Sequence, residues 1–478
     1  MTVAALGADR FALPAADRDR LARRLARAVR RARARGEALA AVTVAVGADV
    51  DPAAVAFASR QGGEPLFAFE QPDRDATALA TLGCVRELTG SGPGRFAEVA
   101  RAWRELAAEA DADAPDGPPG SGPVAVGGFA FADTGSTAPH WAAFPPASLH
   151  VPEVALHRRG GRTRLTVCAL ATPDDTPEDL LAAVERRLAT LRQAPLPLLD
   201  PSPAGRVRVA STMPPEHYEA AVARAVERIR AEELSKIVLA RQVEVHAPAP
   251  HDVAAIHGIL RDGFPGCFVF AVARGDASFI AASPELLMRR DGLRVSTLGL
   301  AGSTRRSADP SVDGHLGEQL LRSEKDREEH AIVVRRIERA LRPHAVWVTA
   351  APEPVVVQIA NIQHLATPIR AQLAEPVSAI ELAGALHPTP AVGGEPLAVA
   401  APLIPALEGL DRGWYAGPVG WVDANEDGEF CVALRSALVE GRLARCFAGV
   451  GVVADSDPAA ELAETEVKLQ ALLPVLAV

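Results

Sequence analysis

Hydrophobic positions in the second half of the chain alternate between a helical and a strand period. In PPEHYEAAVARAVERIRAEEL, Tyr218, Val222, Ala225 and Ile229 share one helical face. KIVLARQVEV then begins as an apolar run and becomes alternating, which predicts a strand. CFVFAVAR and FIAASPELLMRR predict two more strands around the turn GDAS, and CVALRSALVEG with ARCFAGVGVV predicts a hairpin near Gly441. This mixture predicts an α/β fold with large sheets covered by helices.

The first part of the chain carries weaker patterns. Between Arg18 and Arg35, Leu21, Leu25 and Val29 repeat every four residues among many arginines, which favours an amphipathic surface helix over a nucleic-acid-binding or transit helix. Residues 107–125 are rich in Pro and Gly and predict a loop, and 194–205 predict a linker. We therefore divide the chain into a structural N-terminal portion, 1–205, which packs into the same α/β unit, and a functional portion, 206–478.

Composition narrows the class of protein. The 478 residues carry a formal net charge of −10, which disfavours a polyanion such as nucleic acid as the main partner. The sequence has no apolar stretch of about 18 residues that would predict a membrane span, and Asp9, Arg10, Asp17 and Arg18 lie where an exported leader would need its apolar core. The five cysteines are far apart and show no C-x-x-C pair, so we expect reduced thiols, no zinc site and a cytoplasmic location.

The last helix is the first candidate for chemistry. It is expected to open at Ser456 or Asp457, and it places Glu461, Glu464 and Lys468 on one face. Such a face is often only a solvated set of ion pairs. The preceding segment FAGVGVVADSDP is apolar and Gly-rich, however, and this favours a helix start that emerges from the interior.

Three further residues, Glu329, Lys236 and Glu285, are candidates for the site because of the segments in which they lie. SEKDREEH opens a second acidic helix that contains Glu329, and carboxylates from two facing helices suit Mg²⁺. Lys236 begins a buried strand, where it is either a general base or a lysine that extends to the surface. Glu285, in the turn-like S-P-E, is either a buried proton donor or a carboxylate at a strand end.

Taken in order, the segments of the second half resemble the chorismate-utilising enzymes. The matching strings are SKIVLARQ, FIAASPELL, LAGSTRR, SEKDREEH, IQHLATPI, LHPTPAVGG, YAGPVGW, LRSAL, FAGVGVV and ELAETEVKL. Looser matches upstream are FEQPDR, GGFAFA and FPPASLHVPE. The resemblance covers essentially all of residues 206–478. It implies a single large α/β domain in which two antiparallel-rich sheets stack, helices cover the outside, and the active site lies in a cleft between the sheets.

The resemblance also implies roles for individual residues. Lys236 matches the general base that activates water for attack at ring C2, and Glu285 matches the general acid at the C4 hydroxyl. Glu329, Glu461 and Glu464 match the carboxylates that bind Mg²⁺, which would hold the ring carboxylate. The matching substrate-binding positions are Arg435, Gly449, Lys468, Tyr415, Gly302, Ser303, His364, Thr367, Ala391 and Val392. Ala463 and Thr304 depart from common family patterns but remove no group that the reaction requires.

Within the family, the resemblance favours an isochorismate synthase, an isomerase that converts chorismate to isochorismate. HPTPAVGG differs from the H-P-S-G segment of ammonia-using anthranilate and aminodeoxychorismate synthases. A salicylate synthase, which also eliminates pyruvate, is the second reading, and an ammonia-using synthase is the third. A non-catalytic chorismate-binding subunit is disfavoured by the presence of both Lys236 and Glu285. We expect no obligatory protein partner, and menaquinone, siderophore and salicylate pathways all remain open for the product.

Overall fold

The computed structural model describes residues 9–113, 117–200, 205–359 and 362–477. Short 3₁₀ turns lie at Asp9–Phe11, Pro139–Trp141 and Arg342–His344. The α-helices in the described residues are α1 Ala15–Arg35, α2 Pro52–Ser59, α3 Arg95–Ala108, α4 Pro177–Ala189, α5 Pro215–Arg230, α6 Val253–Gly263, α7 Pro310–Arg322, α8 Glu324–Leu341, α9 Ala379–Leu386, α10 Leu397–Glu408, α11 Pro458–Leu469 and α12 Leu473–Leu476.

The strands of the described residues form two large sheets. They are β1 Ala38–Val46, β2 Leu66–Gln71, β3 Thr77–Leu82, β4 Arg86–Gly90, β5 Val124–Phe129, β6 Ala147–Val151, β7 Val154–Arg159, β8 Arg162–Ala171, β9 Arg208–Ser211, β10 Lys236–His246, β11 Phe268–Arg274, β12 Ala277–Ser283, β13 Leu286–Asp291, β14 Arg294–Arg305, β15 Ala345–Ala350, β16 Val355–Ile359, β17 Ile362–Leu373, β18 Gly394–Glu395, β19 Pro418–Asp423, β20 Gly428–Val432, β21 Ser436–Glu440 and β22 Leu443–Val452.

Within each sheet the strand order mixes distant parts of the chain. The first sheet runs β1-β8-β7-β3-β2-β11-β12-β21-β22-β10-β18, with β9 beside β10. The second runs β15-β17-β14-β13-β20-β19-β5-β6-β4, with β16 beside β17. All strand pairings named within the two sheets are antiparallel, such as β10 with β22 and β14 with β17.

The core lies on both faces of the first sheet. Along β2, Phe67 and Phe69 join a cluster that includes Val126 and Phe430 of the second sheet, so this cluster fills the space between the sheets. The alternating residues of β2, Leu66 and Ala68, join a second cluster with the buried faces of α1, α2, α4 and α6. A period of two therefore places successive side chains in different layers. The predicted fold, with stacked antiparallel sheets and outer helices, is confirmed.

Strands from the first portion of the chain enter both sheets. β1, β2, β3, β7 and β8 belong to the first sheet, and β4, β5 and β6 belong to the second. Residues 191–200 carry no helix or strand, and residues 201–204 of the predicted linker lie outside the described residues. The assignment of a purely structural role to 1–205 stays a prediction.

Two segments predicted as single strands are each divided between the sheets. FIAASPELLMRR splits into β12 of the first sheet and β13 of the second, because Pro284 cannot donate to a ladder at the break. CVALRSALVEG splits into β20 and β21, with Arg435 at φ 48° between them. The two crossings lie together: the Val432 N–H donates to the Glu285 carbonyl at 3.0 Å, and the Ala282 N–H donates to the Arg435 carbonyl at 3.1 Å.

The remaining sequence predictions fall on regular elements. Leu21, Leu25 and Val29 of α1 are buried, whereas most of its arginines are exposed. The Asp457 side chain caps α11 by accepting from the Ala460 N–H at 2.9 Å. All five cysteines are free thiols. Among the described helices, none is both long enough and apolar enough to cross a membrane.

Candidate active site

The sheet crossings deliver Glu285 and Arg435 to one cavity, which we name the Glu285 cavity. Glu285 follows β12, and Arg435 precedes β21, so both leave the ladders where the chain passes from one sheet to the other. The Glu285 residue is 3% exposed. Burial raises the pKa of its carboxyl to about 8, although Lys236, Arg435 and Lys468 pull the pKa downward. This carboxyl is therefore largely protonated at neutral pH.

Among the described residues, Arg435 is held by a neutral histidine and by no carboxylate. Its Nη2 donates to Nε2 of His364 at 3.1 Å, and Nδ1 of His364 donates to the Gly302 carbonyl at 3.2 Å. Burial lowers the pKa of His364 to about 3, so the imidazole accepts from Arg435 without competing for charge. Arg435 makes no ion pair within the described part of the chain, and its guanidinium is available to an anion in the cavity.

A second group of carboxylates faces the same cavity, and each member pairs with a lysine. These residues come from the start of β10 and from α8 and α11. The pairs are Lys236 Nζ to Glu329 Oε1 at 2.8 Å, Lys325 Nζ to Glu461 Oε1 at 3.2 Å, and Lys468 Nζ to Glu464 Oε1 at 2.8 Å. The Ser303 hydroxyl also donates to Glu464 at 2.7 Å. Each of these three glutamates is thus matched by one ammonium.

The chemistry of this group fits a hard divalent cation. Its donor atoms are all carboxylate oxygens, the ligands that Mg²⁺ takes in proteins. Burial raises the pKa of Glu461, and the charge of Glu464 raises it further. A cation between these carboxylates would relieve that repulsion. In the geometry described for residues 9–113, 117–200, 205–359 and 362–477, no trio of His, Cys, Asp or Glu already forms a metal site.

Two glycines of β22 allow functional side chains to lie against the strand. A Cβ at Gly451 would come 2.4 Å from Glu329 Oε1 and 2.9 Å from Lys236 Cε. A Cβ at Gly449 would come 2.9 Å from the Tyr415 hydroxyl. Any larger residue would therefore displace these groups, which gives the Gly-x-Gly of FAGVGVV a steric role.

The structure gathers nearly every site residue that the sequence predicts. All of them except Lys236 and Thr367 line the Glu285 cavity. Lys236 is 1% exposed and lies behind the lining, next to Gly451 and paired with Glu329. Thr367 lies outside the lining. Its hydroxyl is 2.7 Å from Nε2 of His330 and orients that imidazole.

Several lining residues escaped the sequence analysis. Lys325 and Asp326 line the cavity, and they precede Glu329 by four and three residues on α8, so helical spacing alone could have placed them on its face. Arg412 also lines the cavity, three residues before Tyr415. Its location depends on a loop, and no periodic pattern marks it.

The fold and the site together define a chorismate-binding enzyme. Residues 24–477 match the family described as chorismate binding enzymes, and the chain belongs to this family. The family assignment made from the ordered motifs is confirmed.

Relatives across most of the chain are isochorismate synthases. The salicylate biosynthesis isochorismate synthase of Pseudomonas aeruginosa is 39% identical over 429 residues, which are 89% of this chain and 88% of that protein. Isochorismate synthase MenF of Bacillus subtilis is 35% identical over 355 residues, which are 74% and 75% of the two chains.

A solved structure agrees in fold. The structure of MenF, the menaquinone-specific isochorismate synthase from Escherichia coli, matches with a TM-score of 0.76 and 26% identity. The match covers 96% of this chain and 100% of that one. The cavity thus lies in a fold that this chain shares with an isochorismate synthase over nearly its whole length.

Proposed function

We propose that the protein is an isochorismate synthase, an isomerase that converts chorismate to isochorismate. The observation that carries this proposal is Glu285, a carboxyl that lines the cavity and has a pKa of about 8. A proton donor is needed because hydroxide is a poor leaving group. The names of the relatives support the same reaction.

In this proposal, two groups divide the proton transfers. Lys236 removes a proton from a water molecule. As the oxygen of that water bonds to ring C2, the ring double bonds shift and the C4–O bond breaks. Glu285 gives its proton to the departing C4 hydroxyl, which leaves as water. One water enters and one leaves, so the product is an isomer. General acid and base catalysis typically contribute about 10² to 10⁴ each in rate.

The dianionic substrate needs cationic partners inside a protein of net charge −10. Arg435 is suited to a carboxylate because its guanidinium has no anionic partner in the described structure. Lys468 lines the same cavity between Glu464 and the Gly449 carbonyl, at 2.8 and 2.9 Å. In the proposal, these two cations bind the substrate carboxylates and hold the ring against Glu285.

Glu329, Glu461 and Glu464 would hold a magnesium ion at the cavity. When bound, the ion would supply positive charge to the ring carboxylate. The lysines that now pair with these glutamates would give up at least part of that contact. The five free thiols support a cytoplasmic, reducing environment for the enzyme.

Product analysis tests the proposal. Purified protein is incubated with chorismate and MgCl₂, and the products are separated by chromatography while pyruvate is assayed enzymatically. We expect isochorismate without pyruvate. Salicylate with equimolar pyruvate would instead identify a salicylate synthase, and an aminated product formed only with ammonium would identify an ammonia-using synthase. Chorismate that binds but stays unchanged would identify a binding subunit.

A further inference from the structure

Arg412 lines the Glu285 cavity, yet its hydrogen bonds run to the protein rather than toward the cavity. The residue is 4% exposed. Its Nη1 donates to the Val392 carbonyl at 2.7 Å, and its Nη2 donates to the Val238 carbonyl at 2.9 Å. Its Nε and Nη2 donate to the two carboxylate oxygens of Glu408 at 3.0 and 2.5 Å. Most of the N–H groups of the guanidinium are thereby committed.

Glu408, the carboxylate partner of Arg412, also binds β10, the strand that begins with the proposed base Lys236. Its carboxylate accepts the Ala240 N–H at 2.7 Å in the middle of β10. Ala240 pairs with Gly449 of β22, which lines the cavity. The Arg412–Glu408 pair therefore joins the end of α10 to β10 at two backbone groups.

The other partners of Arg412 lie in segments without strand pairing. Val392 belongs to the loop between α9 and β18, and Tyr415 to the segment between α10 and β19. The Tyr415 N–H donates to the Arg412 carbonyl at 2.9 Å, and the guanidinium carbon lies 4.2 Å from the ring centroid of Phe131. Val392 and Tyr415 both line the cavity. The Arg412 side chain thus ties the Val392 segment to β10, and the main-chain carbonyl of the same residue holds Tyr415 beside it.

We propose that Arg412 is a positioning residue that sets the distance between the Val392–Tyr415 wall of the cavity and β10. This inference rests on the proposed function, because it concerns how the same cavity holds chorismate. A guanidinium with a planar fork can bridge a carboxylate and two carbonyls at once, whereas a lysine ammonium cannot keep that geometry. A shift of this wall weakens contacts made alike in the ground state and the transition state, and the loss of such contacts raises KM while kcat changes little.

The test separates positioning from folding. Arg412→Met alone leaves Glu408 as an unpaired buried carboxylate, so lost stability is expected. The double variant Arg412→Met with Glu408→Gln removes both charges and keeps an acceptor for the Ala240 N–H. We expect the double variant to recover thermal stability while KM for chorismate stays raised about tenfold and kcat changes less than threefold. Recovery of KM together with stability would overturn the proposal.

Arg412→Lys provides a second variant that keeps the charge. We expect this variant to fold, with KM for chorismate again raised about tenfold. The matched control is Arg290→Lys, because Arg290 is equally buried and binds the Asn425 carbonyl at 2.8 Å and Asp427 at 3.0 Å outside the cavity. The control should lose stability without a change in KM. A KM within twofold of wild type in Arg412→Lys would overturn the role of Arg412, whether or not the double variant folds.

A binding measurement separates this inference from the proposed function. Calorimetric titration of chorismate into Glu285→Gln protein, with and without Arg412→Lys, reports Kd without turnover. We expect Kd to rise about tenfold with the second substitution, and an unchanged Kd would overturn the positioning role. Failure of wild-type protein to form isochorismate would overturn the proposed function, and the Kd comparison would still decide the role of Arg412.

Discussion

Two sides of the Glu285 cavity use the same chemical group in opposite ways. On the acid side, formed by Glu285, His364 and Arg435, the Glu285 carboxyl is buried, no cation among the described residues donates a hydrogen bond to it, and its pKa rises to about 8. On the carboxylate side, formed by Glu329, Glu461, Glu464 and their lysine partners, every carboxylate touches an ammonium. Burial alone raises the pKa of Glu285, whereas for Glu464 the opposing effect of burial is outweighed by Lys468 and Ser303, which lower its pKa.

This contrast matches the two needs of the proposed reaction. The leaving hydroxyl requires a proton donor that keeps its proton near neutral pH. A metal ion requires ionised oxygen ligands. The sheet crossing supplies the first environment, because its backbone groups bond to each other and leave the Glu285 side chain without an ion-pair partner in the described structure.

The largest effect is expected from Lys236→Ala, which should abolish measurable turnover because it removes the proposed base. Lys236→Arg is the matched control: it keeps a cation for Glu329, but guanidinium does not deprotonate in proteins. Both variants should lose at least about 10²-fold in kcat. Activity of Lys236→Arg within tenfold of wild type would show that Lys236 acts only as a counter-ion.

Glu285→Gln should be nearly as damaging, with a loss of about 10² to 10⁴ in kcat. The amide keeps the size of the side chain and carries no charge, so thermal stability should stay close to that of wild type. Steady-state kinetics and a melting curve on the same preparation check this. A kcat reduced less than threefold would remove Glu285 from the chemistry.

On the carboxylate side, Glu461→Gln and Glu464→Gln should each raise the MgCl₂ concentration for half-maximal activity by about tenfold or more. Removal of metal by EDTA should stop the reaction, and added MgCl₂ should restore it. Titration with Mn²⁺ followed by electron paramagnetic resonance reports binding independently of activity. Full activity after EDTA treatment and dialysis would contradict the metal assignment.

The smallest effect is a pH dependence that belongs to the acid side alone. Because Glu285 must be protonated and its pKa is about 8, kcat/KM should fall about tenfold per unit as the pH rises above that value. The folded pKa lies above the ordinary 4.5, so the stability contribution of this group is fully present below pH 4.5 and is lost as the pH rises through about 8. Glu285→Gln should flatten that part of both profiles, measured by kinetics and by denaturant unfolding. A high-pH limb that persists in the variant would assign it to another group.

Local patterns predicted elements well where one period continued unbroken. The helices around Tyr218 and Glu461 and the hairpin near Gly441 lie where the sequence predicts them. The crossings at Pro284 and Arg435 were missed as strand breaks, because the apolar residues continue on both sides of each break. Arg412 was missed because its role depends on partners that lie 20 and 174 residues away in the chain.

By itself, the sequence determined the types of element, the ordered family segments and the candidate groups from Lys236 to Lys468. These follow from side-chain chemistry and short-range spacing, which need no knowledge of distant neighbours. Only the tertiary structure decided which of those groups is suited to donate a proton and which are paired with lysines. Burial and pairing depend on which strands cross and which helices face each other, and they make Glu285 a proton donor and its neighbouring glutamates paired anions.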